Sequence, residues 1–425
     1  MRRRDFLQLL GTGAAGLLLR PRRLLFAQGA AASPGVTREA VKIGMSAAFK
    51  GNNAALGTEY YRGSLAFYQE VNSQGGVFGR KIEIAALDDG YEPTPAVNNT
   101  IALVDKEQVF FLSNYVGTPT LTRALPLIKS YSDRALILVG NLTGAQPQRE
   151  EPYVGQVFNV RASYRQEMAA LVEQLWGAGL RRFGAFYQID AYGRSGTDGV
   201  ARGLARYGAH ITAEATYRRG AAFDADMSLA VGHLREADVQ AVLCTGAYQG
   251  CGAFVRTARD LGWNVPISNV SFVGSDAMSR LLLEHGRQSG RDYTRALINS
   301  QVVPSYDDTR LPGVALYRQL LDKWNPRVPA ALRDPKYTPA RASYISLEGF
   351  INARVIVEGL RRAGDNPTRQ SLKSALESID KLDLGIGAPL SFGPNRHQGL
   401  NEVYFTRLEG GRWVALTDWR AVVRA

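Results

Sequence analysis

Short runs of apolar residues alternate with amphipathic stretches along most of this chain. Val41-Lys42-Ile43-Gly44-Met45 reads as a short buried strand, and 58–73 reads as a helix with Tyr61, Leu65, Tyr68 and Val71 along one face. Asn72-Ser73-Gln74-Gly75-Gly76 breaks that helix. The unit recurs as strand 81–87 and helix 94–104, strand 109–113 and helix 119–130, then strand 136–139. It starts again with a helix from Tyr164, followed by strand 182–187, helix 193–207, strand 211–217, helix 224–237, strand 241–245 and helix 248–261. Beyond residue 300 the pattern predicts a strand over 301–303, helices over 312–323, 346–362 and 368–378, and strands near 402–408 and 413–416. Strand–helix alternation at ~25–30 residues per unit implies parallel sheets wrapped by helices. About four units precede residue 160 and about four lie between 160 and 300, which predicts two doubly wound α/β lobes of equal design. The 425 residues, 45% of them hydrophobic, suffice for two packed lobes.

In open parallel sheets a ligand meets the carboxyl ends of the strands, and two such lobes facing each other make a cleft. The residues just after each strand are therefore the candidates. Asn114-Tyr115-Val116-Gly117-Thr118-Pro119-Thr120 follows strand 109–113. Pro119 suits the first helical turn and Thr118 the N-cap. Gly117 permits close approach, and the free amides and dipole of the helix start attract a carboxylate or other electron-rich oxygen. Gly140-Asn141-Leu142-Thr143-Gly144 brings Asn141 and a second hydroxyl to an equivalent point. In the second lobe Tyr192 follows strand 182–187 and Tyr248 follows strand 241–245, so two aromatics stand ready to close over an apolar body. The plainer alternatives are that Thr118 only caps its helix and that both tyrosines only pack.

The N-terminus changes the picture of where the chain works. Arg2-Arg3-Arg4-Asp5-Phe6-Leu7-Gln8, a mostly apolar stretch over 9–19 and small residues over 27–32 follow the order of an export signal. The paired arginines suit the twin-arginine route, and the apolar stretch is too short to anchor in a bilayer. No cysteine near it offers a point for lipid attachment. The expectation is cleavage after Ala27 or Ala32 and a soluble periplasmic product. Gly11-Thr12-Gly13-Ala14-Ala15-Gly16 spells the dinucleotide fingerprint but lacks the preceding strand and the later acidic residue, so it implies no cofactor. Of the formal charge of +12, residues 1–32 hold six arginines and one aspartate. The rest is spread without any basic block beyond pairs such as Arg181-Arg182 and Arg361-Arg362, which argues against nucleic acid as a partner.

Candidate chemistry is sparse. The two cysteines, Cys244 and Cys251, exclude a disulfide framework by count. They either close one small loop in an oxidising compartment or stand as two buried thiols beside a strand–helix turn. The four histidines occupy no HExxH setting, and there is no CxxC, P-loop or GxSxG elbow. Zinc and phosphoryl chemistry have no foothold, and a Ser-His-Asp triad stays open with no elbow to support it.

Several motifs then converge. Gly75-Gly76-Val77-Phe78-Gly79-Arg80-Lys81, Asp88-Asp89-Gly90-Tyr91-Glu92-Pro93, Gly117-Thr118-Pro119-Thr120, Val157-Phe158-Asn159-Val160-Arg161, and Ser343-Tyr344 with Leu347-Glu348-Gly349 stand in this order. Across roughly 40–420 the chain resembles the leucine/isoleucine/valine-type solute-binding proteins of ABC importers. The resemblance implies a type I periplasmic binding fold, two α/β lobes joined by three crossovers around a ligand cleft. It assigns 39–160 and 303–399 to the first lobe and 161–302 and 400–425 to the second. It implies a monomer that delivers a small organic ligand to ABC permease subunits. It places ligand hydroxyls at Gly117-Thr118 and Thr143, and flanking tyrosines at Tyr192 and Tyr248. The acid that pairs with a ligand ammonium falls near Ser271, and an aromatic from the loop before the first helix falls at Leu56; neither residue type is kept. A buried ammonium without a carboxylate is costly, so a carboxylate, amide or aromatic acid is expected in place of an ordinary amino acid. A sensor of the same fold coupled to a signalling protein, and more remotely a periplasmic hydrolase, are the alternatives.

Overall fold

In the computed structural model, residues 33–424 are described; the expected export segment, 1–32, lies outside the described residues. Strand β1 (Ala40–Ala47) pairs along its whole length with β2 (Lys81–Asp88), from Ala40 opposite Lys81 to Ala47 opposite Asp88. Three shorter strands, β3 (Phe111–Ser113), β4 (Leu138–Val139) and β5 (Val157–Phe158), extend this into a parallel sheet of order β2-β1-β3-β4-β5. Helices α1 (Ala54–Ser73), α2 (Pro93–Ile101) and α3 (Thr118–Ser130) connect its strands.

The second sheet is built from α4 (Tyr164–Gly177), β6 (Phe183–Gln188), α5 (Ala191–Ala205), β7 (Ala213–Tyr217), α6 (Ser228–Glu236), β8 (Ala241–Thr245), α7 (Tyr248–Asp260), β9 (Ile267–Asn269), α8 (Ser275–Ser289) and β10 (Leu297–Gln301). The chain then forms α9 (Pro312–Trp324), α10 (Tyr344–Ala363), α11 (Arg369–Glu377), the small ribbon β11 (Leu382–Asp383) and β12 (Pro389–Leu390), the hairpin β13 (Tyr404–Glu409) and β14 (Arg412–Ala415), and α12 (Trp419–Arg424). The hairpin completes the second sheet, in the order β14-β13-β10-β9-β8-β6-β7, with β13 antiparallel to β10. Its two-residue Gly410-Gly411 turn has positive φ at both positions, as a tight hairpin of matching twist requires. Helices α9 and α10 pack on α1, beside the first sheet. The chain therefore crosses between sheets three times, between β5 and α4, β10 and α9, and β12 and β13. This is the doubly wound, two-lobe α/β architecture that the alternation predicts.

Local chemistry sets the helix starts. A capping box at Ser163 and Gln166 opens α4, and Asp190 caps α5 by accepting from the Tyr192 and Gly193 amides. Ser343 and Ser346 cap α10, which starts it two residues before the predicted 346. Helix α6 starts at Ser228 instead of 224, because Asp226 Oδ1 accepts the Ser228 amide in a turn ahead of it. The strand predicted over 301–303 is Leu297–Gln301, set by its pairing with Ile267–Asn269. Cys244 and Cys251 are buried free thiols, the second of the two alternatives, and burial pushes the Cys244 thiol up. Among the described residues no helix is long and apolar enough to cross a membrane.

Candidate functional site

The strand ends converge where the two sheets face each other. At the end of β3 the chain turns through Gly117, whose φ is +108°. A Cβ there would lie 2.5 Å from Tyr91 Cε2, so glycine is required for the tyrosine to pack against the turn. Gly117, not the predicted Thr118, is the N-cap of α3, and Thr118 is its first helical residue. This frees the Thr118 hydroxyl, which meets Thr143 Oγ1 at 2.6 Å and lies 3.5 Å from the Tyr164 hydroxyl. Asn141 donates to the Thr143 carbonyl at 3.3 Å, while its own Oδ1 is buried without a partner.

Tyr192 reaches the same place from the second lobe. Its ring is 5.1 Å from Tyr164 and 4.8 Å, edge-on, from Phe272, and its hydroxyl donates to Gly246 O at 3.3 Å. Phe272 in turn stacks on Tyr91 of the first lobe at 6.0 Å. Tyr248 and Leu56 stand at another edge of the seam. Tyr248 accepts the Ala55 amide at 3.5 Å, and a Cβ on Gly274 would meet Leu56 at 3.0 Å and Tyr248 at 3.6 Å. Thr118, Thr143 and Tyr192 are thus joined through Tyr164, and Tyr192 reaches Tyr91 through Phe272, three rings that sequence reasoning did not select, while Tyr248 and Leu56 stand at the other edge.

Ser271 leads to a buried charge cluster that was also missed. Glu167 Oε2 accepts the Ser271 amide at 2.8 Å and the Ser300 hydroxyl at 2.6 Å; its Oε1 accepts the Ser271 hydroxyl at 3.1 Å and Arg161 Nη2 at 2.8 Å. Arg161 also bonds the Ser271 hydroxyl, and its Nη1 lies 3.5 Å from Glu348 of α10. Its guanidinium sits 5.6 Å from the Tyr164 ring, so the cluster adjoins the threonine pair. Burial opposes the Arg161 charge, but Glu348 and Glu167 outweigh it and keep the group firmly protonated. Burial pushes Glu348 up to about 7, with Arg161 holding it down and Glu167 adding to the rise. Tyr91 OH joins Asn141 Oδ1 as a buried atom without a hydrogen-bond partner, whereas Arg161 Nη1 and Glu348 Oε1 face each other as an ion pair at 3.5 Å. The available signal was a charged residue inside an apolar helical run, such as Glu348 in Leu347-Glu348-Gly349-Phe350. Among the described residues no group of histidine, cysteine and carboxylate side chains is placed to hold a metal ion.

The lobes touch along this seam. Arg219 donates to Glu92 across it at 2.7 Å, Asn52 to Gly220 O at 2.9 Å, and the Tyr344 amide to Asp276 at 3.0 Å. The arrangement sets the start of α3 and its threonine pair against aromatic rings of the second lobe, with a buried charge cluster beside them.

Known proteins share this framework. A possible leucine/isoleucine/valine-binding protein of Rhodopirellula baltica superposes with a TM-score of 0.79 at 31% identity, over 91% of this chain and 98% of that one. A branched chain amino acid ABC transporter protein of Thermus thermophilus with bound valine shares the fold at a TM-score of 0.76 and 17% identity, over 92% and 100% of the two chains. In sequence, Leu/Ile/Val-binding protein homolog 3 of Brucella melitensis is 22% identical over 82% of this chain and 86% of its own length. An amino acid binding protein of Pseudomonas aeruginosa is 24% identical over 52% of this chain, a match that spans 58% of that relative. The family model described as periplasmic binding protein matches residues 40–412. The type I two-lobe fold and this match over most of the length lead to one conclusion: the chain belongs to the periplasmic binding protein family.

Proposed function

We propose that this protein captures a small organic ligand between its lobes and delivers it to the permease subunits of an ABC importer. It is exported by the twin-arginine route and works as a monomer in the periplasm. The observation that carries the reading is a pair of buried polar atoms without hydrogen-bond partners, Tyr91 OH and Asn141 Oδ1, beside the Thr118–Thr143 pair. Each such atom costs about 1–3 kcal/mol in a folded protein, and a ligand that bonds them returns that cost as affinity.

The ligand chemistry follows from the same groups. The start of α3, with Gly117, Thr118 and Thr143, suits a carboxylate or amide oxygen. Tyr91, Tyr164, Tyr192, Tyr248 and Phe272 suit an apolar or aromatic body. Ser271 brings no acid, and the nearby Glu167 is engaged by four donors from Arg161, Ser271 and Ser300. Acids and amides without a free amine are therefore favoured over leucine and its relatives. A melting-temperature screen of aliphatic and aromatic acids, their amides and branched amino acids tests this. At least one acid or amide raises the melting temperature in a saturable way. A flat response across the panel, or leucine as the tightest ligand, would contradict the reading.

A further inference from the structure

The 19 residues between α9 and α10 carry almost no regular structure beyond one 3-10 turn, Ala330–Leu332. Connections of this length without their own secondary structure are uncommon in compact domains and usually have a task. This one is pinned in place. Asp334 accepts the Gly51 amide at 2.7 Å, and Glu59 of α1 accepts both the Tyr337 hydroxyl at 2.9 Å and the Ala340 amide at 2.8 Å. Arg280 of the second lobe donates to Thr338 O at 2.6 Å.

Between this strap and α1 lies a cavity of about 490 Å³. None of the cleft residues Thr118, Thr143, Tyr192, Tyr248, Ser271 or Leu56 lines it. Its lining holds four arginines, Arg62, Arg327, Arg333 and Arg341, against one acid, Asp334. Arg62 is buried and forms the floor. Its Nη1 binds Glu59 at 2.8 Å and Ala340 O at 2.7 Å, and its Nε binds Pro326 O at 2.9 Å, while Nη2 takes part in none of these bonds. Arg341 is paired with Asp322. Arg327 and Arg333 form no ion pair among the described residues, so two positive charges at the rim are uncompensated. The Asp334 oxygens are already taken by the Gly51 and Lys336 amides. Pro326, Val328, Pro339 and the Tyr337 ring supply apolar wall.

We propose that this cavity is a second ligand site, distinct from the interlobe cleft, for a small organic dianion. The volume exceeds what a bare inorganic anion fills, and the apolar wall suits a carbon body. The two unpaired guanidinium groups suit two negative charges, in the geometry arginine offers to carboxylate and phosphate.

Calorimetry of the mature protein with phthalate and with phenyl phosphate tests this, with inorganic phosphate beside them at matched ionic strength. The expected result is saturable one-to-one binding of phthalate or phenyl phosphate, tighter than that of inorganic phosphate. Losing two charge-assisted contacts weakens it by at least ~10-fold in the double variant Arg327→Ser, Arg333→Ser. Both side chains are exposed, so the variant's melting temperature without anion stays that of the parent. Thr118→Ala with Thr143→Ala, which cripples the cleft, leaves this binding unchanged, as does the remote surface pair Arg206→Ser, Arg218→Ser. Absence of saturable binding would overturn the proposal. So would equal losses in the remote pair, which mark a diffuse charge effect, or loss in the threonine variant alone, which places the anion in the cleft.

Discussion

Asp89 shows how a single residue at the cleft edge ties stability to pH. Its carboxyl accepts the Ser46 hydroxyl at 2.7 Å and the Tyr91 amide at 2.9 Å, yet burial dominates and pushes it up to about 7. Between the ordinary aspartate range near pH ~4 and that raised value, the unfolded chain is ionised while the folded one keeps its proton. Folding therefore takes up a proton, and stability falls as pH rises through this window, then levels off above it. Glu348, also raised to about 7, and Asp276, raised to about 6 by burial, add in the same direction. Asp89→Asn removes one of these protons from the balance. Melting temperatures measured from pH 5 to 8 should decline for the parent and decline less steeply for the variant, by up to ~1.4 kcal/mol per pH unit at the steepest point. Equal slopes would show that Asp89 is not held protonated in the folded state.

At the scale of elements, the tightest joint lies between α1 and α10. A Cβ on Gly63 would fall 1.7 Å from Ser346 O, and one on Gly349 would fall 2.3 Å from Tyr60 O. Only glycine lets these backbones touch, and Ser64 Oγ seals the joint by donating to Gly349 O at 2.8 Å. Gly349→Ala must push two backbones apart and should cost about 1–3 kcal/mol or more in denaturant unfolding. Gly232→Ala in α6, where a Cβ meets nothing within 4 Å, should instead stabilise by about 0.5–1 kcal/mol. Similar effects of both would mean that α1 and α10 are not in this contact. The Gly349 motif was legible in the sequence, but its partner, about 290 positions earlier at Tyr60, was not. The alternation of apolar runs and amphipathic stretches made β1 to β3, β6 to β8 and their helices readable, because β1, β3, β6 and β8 are mostly apolar while β2 and β7 alternate polar with apolar residues. It failed for β9, which is only Ile267–Asn269 and two-thirds polar, and therefore for α8 behind it. Site legibility divided the same way. Strand-end residues such as Thr118, Thr143 and Tyr192 follow from topology, whereas Arg161, Glu167 and Glu348 meet only because three segments fold onto one point.

For the whole molecule, the two sheets place unlike walls against one seam. The first lobe brings helix α3 with its free amides and the threonine pair, and the second brings Tyr192, Tyr248 and Phe272. Arg161, on the segment leading from β5 to α4, is held by Glu167 on the second lobe's α4 and faces Glu348 on α10 beside the first sheet, so its guanidinium bridges the halves. A ligand that bonds both walls favours the closed arrangement by its differential affinity for it. The central claim is that such a ligand is held by the Thr118 and Thr143 hydroxyls. Calorimetry with the best compound from the melting screen measures this most directly, on the parent and on Thr118→Ala and Thr143→Ala. Losing one hydrogen bond to a desolvated ligand costs about 1–3 kcal/mol, so one-to-one binding should weaken roughly 5- to 150-fold in each variant, with the fold intact. Unchanged affinity in both would contradict the account and leave these hydroxyls as structural groups only.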